Sequence, residues 1–391
     1  MRMVQELIGN ERGMVLYVSL LILTLLMSAG LGAVISVQND FKVTANLRGA
    51  TDVFYLSEAG VEWGKAQVSA SLTNPVAPVA GSRSFSNGSF SVSFLSATRV
   101  NALASSVVIQ STGVTRAASL LIHAKVTKRY ELSDAAIGLR GNGRNVTFSG
   151  SSFFISGKEH DPTSGNVDPE ARTHPAISVP NPELKDRIEE TLTDLQRTNL
   201  IGPDRNSPVK VESEMLPESS LARLANDLCA AQNAVVVAMP ADGTLSFSGQ
   251  VWGSRSLPQL RCIEGLAGPG DSVTVGGSSS GAGILVVRNA ELIVNGPFHW
   301  EGLIVISGTS VGFKVLGDDL KELYGSLLIN ENDPGRLSGP GMLDIRGAAR
   351  ILYSRAALLG ASSLLPRATL ELLYGSLPST IAQDYWRTVT P

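Results

Sequence analysis

The feature that most constrains this chain is a run of 24 residues, Met14 to Val37, without a single charged side chain. As a helix it would extend about 36 Å, enough to cross a hydrocarbon core of about 30 Å with some tilt. A short polar leader, Met1 to Gly13, precedes it and carries Arg2, Glu6, Glu11 and Arg12. A secretory signal has a shorter apolar region that ends in a small-residue cleavage motif, and neither the length nor the residues beyond Ser36 fit that pattern. The span is therefore expected to be retained. Helical spacing continues past it: Phe41, Ala45, Leu47, Val53, Phe54, Leu56, Ala59 and Val61 recur with Asp40, Lys42, Arg48, Asp52, Glu58 and Glu62 interleaved. The pattern predicts one helix of about 50 residues against a globular average of about 12. Apolar throughout its first half and striped in its second, it is built to pack on other helices.

The rest of the composition narrows the function classes. With 43% apolar and 17% charged residues the chain is expected to fold, and a net charge of -3 with no basic run disfavours nucleic acid as a partner. The two cysteines, Cys229 and Cys262, lack zinc-site spacing and form a candidate disulfide. Closing that loop would contribute roughly 3 to 4 kcal/mol in an oxidising compartment. A pair of buried thiols is the other reading. No cofactor or metal is expected.

Two short segments carry a family resemblance. Glu11-Arg12-Gly13 before the apolar run looks like a class III prepilin leader. Asn46-Leu47-Arg48 followed by Phe54-Tyr55-Leu56-Ser57-Glu58-Ala59-Gly60-Val61-Glu62 resembles the matching helix of PilX-type minor pilins. The resemblance implies cleavage after Gly13 by a prepilin peptidase and methylation of Met14. It also makes Val18 the fifth mature residue, where major pilins usually carry a glutamate. A carboxylate in lipid without a partner is costly, so its absence suits a subunit at a filament tip or in an initiation complex. Phe54, Leu56, Glu58, Ala59 and Glu62 are the expected packing residues, Val18 the marker of placement. Partners implied are other minor pilins, the pilus assembly machinery and the inner membrane, with the C-terminal region periplasmic and the chain incorporated into a pilus.

Beyond the helix, Pro75, Pro78 and Gly81 read as a linker. Strand-like alternation follows at 90–94, 107–113 and 119–126, with a turn around Gly113 to Arg116, as expected for a small antiparallel sheet over 75–134. From 135 to 391 short β-rich pieces end repeatedly in glycine, as in Val146 to Gly150, Leu245 to Gly249, Val273 to Gly276, Leu292 to Gly296 and Leu343 to Gly347. Glycine permits a tight corner, and repeated strand and corner suggests a solenoid, with a sandwich as the alternative. Two helical patches, Pro182 to Gln196 with Asn181 as N-cap and Glu218 to Gln232, read as an insertion near 181–232. The fold class expected is α+β, mainly β: a leader (1–13), a long helix (14–74), a pilin-like headpiece (75–134) and a solenoid-like region (135–391).

No catalytic constellation emerges, and the chain is read as a non-enzymatic subunit. Gly277 to Gly281 matches GxSxG, yet a nucleophile elbow needs a helix after the serine and Ile284 to Val287 reads as strand. His123, His160, His174 and His299 stand apart. Glu159, Asp161, Asn166 and Asp168 form a loose acidic loop, as do Asn330 to Asp333, without EF-hand spacing. The rival readings are a tip pseudopilin of type II secretion, a membrane-anchored adhesin or carbohydrate-binding solenoid, and a polysaccharide-acting solenoid enzyme whose exposed carboxylates only a known coil register would reveal.

Overall fold

The computed structural model describes residues 11–71, 78–141, 145–204, 207–212, 216–332, 342–374, 377 and 379–389. Most of the leader, Pro75 of the linker and Asp333 of the second acidic loop lie outside them. The first element is a single 61-residue helix, α1 (Glu11–Ser71). Four antiparallel strands follow, β1 (Gly81–Phe85), β2 (Gly88–Asn101), β3 (Ala104–Val114) and β4 (Ser119–Tyr130). Residues from Gly81, expected in a linker, thus already belong to a strand, which pairs with β2 across a two-residue turn at Ser86 and Asn87.

The β-rich stretch opens with β5 (Ile137–Gly141), β6 (Val146–Ser149), β7 (Phe154–Ser156) and β8 (Ile177–Val179). Then come α2 (Pro182–Thr191), α3 (Asp194–Thr198), β9 (Leu200–Ile201), β10 (Val209–Val211) and α4 (Glu218–Cys229). The helix expected over 182–196 is two: Asn181 caps α2 through Leu184 N as anticipated, but Thr193 starts α3 with a capping box to Gln196. A run of strands follows: β11 (Ala234–Ala238), β12 (Thr244–Ser248), β13 (Val251–Trp252), β14 (Gln259–Glu264), β15 (Ser272–Gly276) and β16 (Ser279–Arg288). It continues through β17 (Glu291–Asn295), β18 (Phe298–Gly308), β19 (Gly312–Leu316), β20 (Lys321–Glu331), β21 (Leu343–Arg346) and β22 (Ala349–Tyr353). Two helices absent from the sequence reading, α5 (Arg355–Ser362) and α6 (Arg367–Leu373), precede the last strand, β23 (Ser379–Val389).

Among the described residues, pairing within the two large sheets is parallel throughout. One sheet is ordered β12-β15-β17-β19-β21-β6, and the other runs β10-β8-β5-β20-β18-β16-β14-β11 with β7, β9, β13 and β22 beside it. From β14 onward the chain alternates between the sheets, each return laying a strand in register on the one before, as Ile284 on Leu260 and Leu303 on Ile284. Columns of Val, Ile and Leu fill the space between them, with Val286, Val305 and Ile345 fully buried. The long strands bend at Gly283, Gly302 and Gly325, whose φ values of 125°, 132° and 136° only glycine holds readily.

β23 does not join this region, where the sequence reading placed it. It pairs antiparallel with β4, completing a five-stranded sheet β1-β2-β3-β4-β23. The parallel region is therefore inserted between two neighbouring strands of the headpiece.

Candidate functional site

α1 divides into two halves by what covers it. From Met14 to Val37 its side chains are bare, as at Leu16 and Leu31, and the helix is long and apolar enough to cross a membrane. Val18 lies in this half and is 47% exposed. Gly13 lies in the first turn of the same helix.

The second half carries a stripe at helical spacing: Val53, Leu56, Ser57, Gly60, Val61, Gly64 and Val68 are buried. It lies across β2, β3 and β4, with Val68 in a cluster with Phe90, Val92, Val107, Ile109 and Val126. The small residues set the approach. A Cβ at Gly60 would collide with Ser111 Oγ, and one at Gly64 would fall 2.7 Å from Ile109 Cγ2. From the sheet side, Gly113 faces the helix so closely that a Cβ would come within 2.6 Å of Val53 O.

Ser57 joins the two surfaces. Its Oγ shares one hydrogen between Val53 O at 2.8 Å and Leu120 O at 2.9 Å, and accepts from Gly113 N at 3.0 Å. Ser111 Oγ donates back to Ser57 O at 2.7 Å. Near the helix end the Lys128 ammonium, pushed down in pKa by burial, donates to Ser69 O at 2.7 Å, where carbonyls lack intrahelical partners.

Of the residues named from the sequence, Leu56 is buried while Phe54 and Glu58 are half-buried. Phe54 meets Trp386 of β23 edge-on at 5.9 Å. With Val61, Glu62, Gln383 and Trp386, Phe54 and Glu58 line a groove of about 500 Å³. Ala59 and Glu62 face outward, Glu62 pairing with Lys65 at 2.5 Å. Phe41, Ala45 and Leu47, expected in the stripe, are exposed because the sheet ends at the level of Gly49 and Ala117. Beyond that level a cleft of about 940 Å³ separates the helix, from Phe41 to Asp52, from the two hairpin turns. Sequence reasoning missed Ser57, Gly60 and Gly64, small residues whose role shows only against the opposing sheet.

The headpiece meets the parallel region through buried polar groups. Glu131 Oε2 lies 3.9 Å from His174 Nδ1, and Arg355 reaches Glu131 Oε1 at 3.8 Å. His174 stacks on Tyr353 at 4.1 Å, and Tyr353 donates to Ser133 O at 3.3 Å. Burial, with the nearby Arg172 charge, pulls His174 down to about 4, and burial pushes the Glu131 carboxyl up. Tyr374 packs at a tilt against Tyr130, ring centroids 4.5 Å apart, and donates to Ala102 O at 2.6 Å. Elsewhere the structure joins Cys229 at the end of α4 to Cys262 of β14. Ser279 of the GxSxG match opens β16, buried, with its hydroxyl 2.6 Å from Gly276 O and strands on either side. In the first acidic loop Asp161 Oδ1 accepts from Thr163 N and Ser164 N, and Glu159 Oε1 from Arg355 N. Asn330 of the second is fully buried against Ser307 Oγ and Glu218 O.

Among the described residues, the fold presents one apolar helical segment of membrane-crossing length, continuous with a helix-on-sheet headpiece. No family model and no curated protein matches the chain. Among solved structures it is similar to the competence-associated pilin ComZ from Thermus thermophilus, at 12% identity over 87% of this chain and 98% of that one. The TM-score of 0.26 makes that likeness too loose to argue from.

Proposed function

We propose that the chain is a minor pilin-like structural subunit of the PilX type, acting in type IV pilus assembly or initiation at a filament tip. In this reading a prepilin peptidase cuts after Gly13, Met14 is methylated, and Met14 to Val37 waits in the inner membrane with the β regions periplasmic. The observation that carries it is α1 itself. One unbroken helix presents a bare apolar half and a second half fastened to an antiparallel sheet through Ser57, Gly60 and Gly64. On leaving lipid the apolar half needs another cover, and a bundle of similar helices supplies it. Val18 adds support for the tip, since no carboxylate at this position enters the bundle. The parallel region, which we read as a solenoid, then hangs outward from the headpiece between β4 and β23. Its role in this account is display and contact rather than catalysis.

The test is in vivo cross-linking. A cysteine at exposed Leu47 or Tyr55 should link the chain to other pilin-like subunits in intact membranes, and deletion should sharply reduce surface filaments. Absence of such links together with unchanged filament number would contradict the reading.

A further inference from the structure

Register places a polar ladder on one outer face of the parallel region. Ser280, His299, Glu322 and Arg350 are partners on successive strands β16, β18, β20 and β22. Neighbouring strands are about 4.8 Å apart. Between them run Gly281, Trp300, Leu323 and Ile351, which face the core. Beside the ladder, Glu301 sits one column over. A chain of contacts links five side chains drawn from four segments of the sequence. Arg255 grips Glu301 with two bonds of 2.8 and 2.9 Å, and His299 Nε2 lies 3.1 Å from the same carboxylate. His299 Nδ1 is 3.7 Å from Glu322, and Arg350 donates to Glu322 at 2.9 Å. Burial would raise the Glu301 carboxyl, but the hydrogen bonds from Arg255 and His299 hold it below its ordinary value.

Arg255, His299 and Arg350 keep 48, 40 and 42% of their side-chain surface in solvent. Ion pairs this exposed contribute little to stability, so the fold gains little by assembling them. Next to the ladder a pocket of about 120 Å³ has small walls, among them Ala282, Gly283, Ala356, Gly360 and Ala361, and a polar rim of Asp161, Thr163, Arg255 and Glu301. Three carboxylates, Asp161, Glu301 and Glu322, outnumber the two guanidinium groups of Arg255 and Arg350, which disfavours an anionic ligand and leaves a neutral one with groups of both signs to bind. Paired hydroxyls of a sugar ring donate to a carboxylate and accept from a guanidinium, and groups already held in place lose little freedom on binding. The strand spacing is close to the length of one hexose in an extended chain. The small apolar walls suit a methyl group.

We infer that this face binds a neutral oligosaccharide of N-acetylhexosamine units, its rings along His299 and Glu322 and one acetamido methyl in the pocket. Titrate the full chain, in a detergent without a sugar headgroup, with the N-acetylglucosamine tetramer and read binding by calorimetry. Saturable binding is expected. A Cβ at Gly360 meets nothing within 4 Å, so Gly360→Leu should fold normally and fill the pocket. That variant and Glu301→Gln should each weaken binding by about tenfold or more, with the melting midpoint of Gly360→Leu not lowered, since leucine favours the helix over glycine. No saturable binding at millimolar tetramer, or wild-type affinity in Gly360→Leu, would overturn the inference. Equal binding of cellotetraose, or tighter binding of polygalacturonate, would overturn it as well.

Discussion

Ser57 shows how much one small side chain decides. It is fully buried, its hydroxyl satisfies Gly113 N, and its own carbonyl receives Ser111. Ser57→Ala leaves a buried N–H without that partner and should cost about 1–3 kcal/mol, seen as a lower melting midpoint of the full chain in detergent. Gly60→Leu should cost more, because the added atoms run into Ser111 and Phe90 where helix and sheet already touch. The large apolar members of this stripe were legible as periodicity. The small ones were not, since a glycine or serine signals close approach only once the opposing surface is known. His174 carries a pH prediction. Its folded pKa, about 4, lies below the ordinary 6.5, so its neutral form stabilises the junction fully above 6.5 and that contribution is lost as pH falls toward 4. The loss would reach up to about 3 kcal/mol, offset in part by Glu131, which burial favours in its protonated form. Arg172 and Arg355 are the cations that face the pair. Melting at pH 7 and about pH 4.5 should differ less in His174→Phe, which keeps a ring against Tyr353, than in the unaltered chain. Equal pH responses would contradict this account of the junction.

At the scale of the element, the long strands owe their shape to a ladder of glycines. Gly302 and Gly325 each present φ above 130°, and a Cβ on either would collide with the carbonyl of the glycine on the preceding strand. Gly302→Ala should cost at least about 2 kcal/mol from backbone conformation alone and show as early unfolding of the parallel region in hydrogen exchange. The disulfide makes a second claim at this scale. It ties α4 to β14, and reduction, or Cys262→Ser, should lower stability by about 2–4 kcal/mol and release α4 before the sheets open. A reductant with no effect on melting would contradict that. Strands ending in glycine were visible in the sequence because alternation and turn residues are local signals. The strand-bending role of Gly283, Gly302 and Gly325 was not, since it depends on which residues pair between strands separated by unequal lengths of chain. α5 was missed for a similar reason: its apolar face of Ala357, Leu358 and Ala361 covers β16 and β18, a partner no local pattern announces.

For the whole molecule, the decisive fact is where the chain returns. Residues 379–389 pair with β4, so the headpiece sheet is completed by a strand that follows the whole parallel region in sequence. Nothing within 379–389 marks it for that sheet, because antiparallel pairing across about 250 residues is a tertiary event that alternation cannot encode. The helix of α1 was legible in full outline, being both longer and more apolar than a globular core would use. Its two halves lead to the central claim, that the chain is processed and assembled as a pilin-like subunit. The most direct measurement is the intact mass of the N-terminal peptide from membranes of cells with and without the prepilin peptidase. The account predicts a chain starting at methylated Met14 only where the peptidase is present. A leader still attached in both would contradict it and leave an anchored protein whose business lies in its outer face.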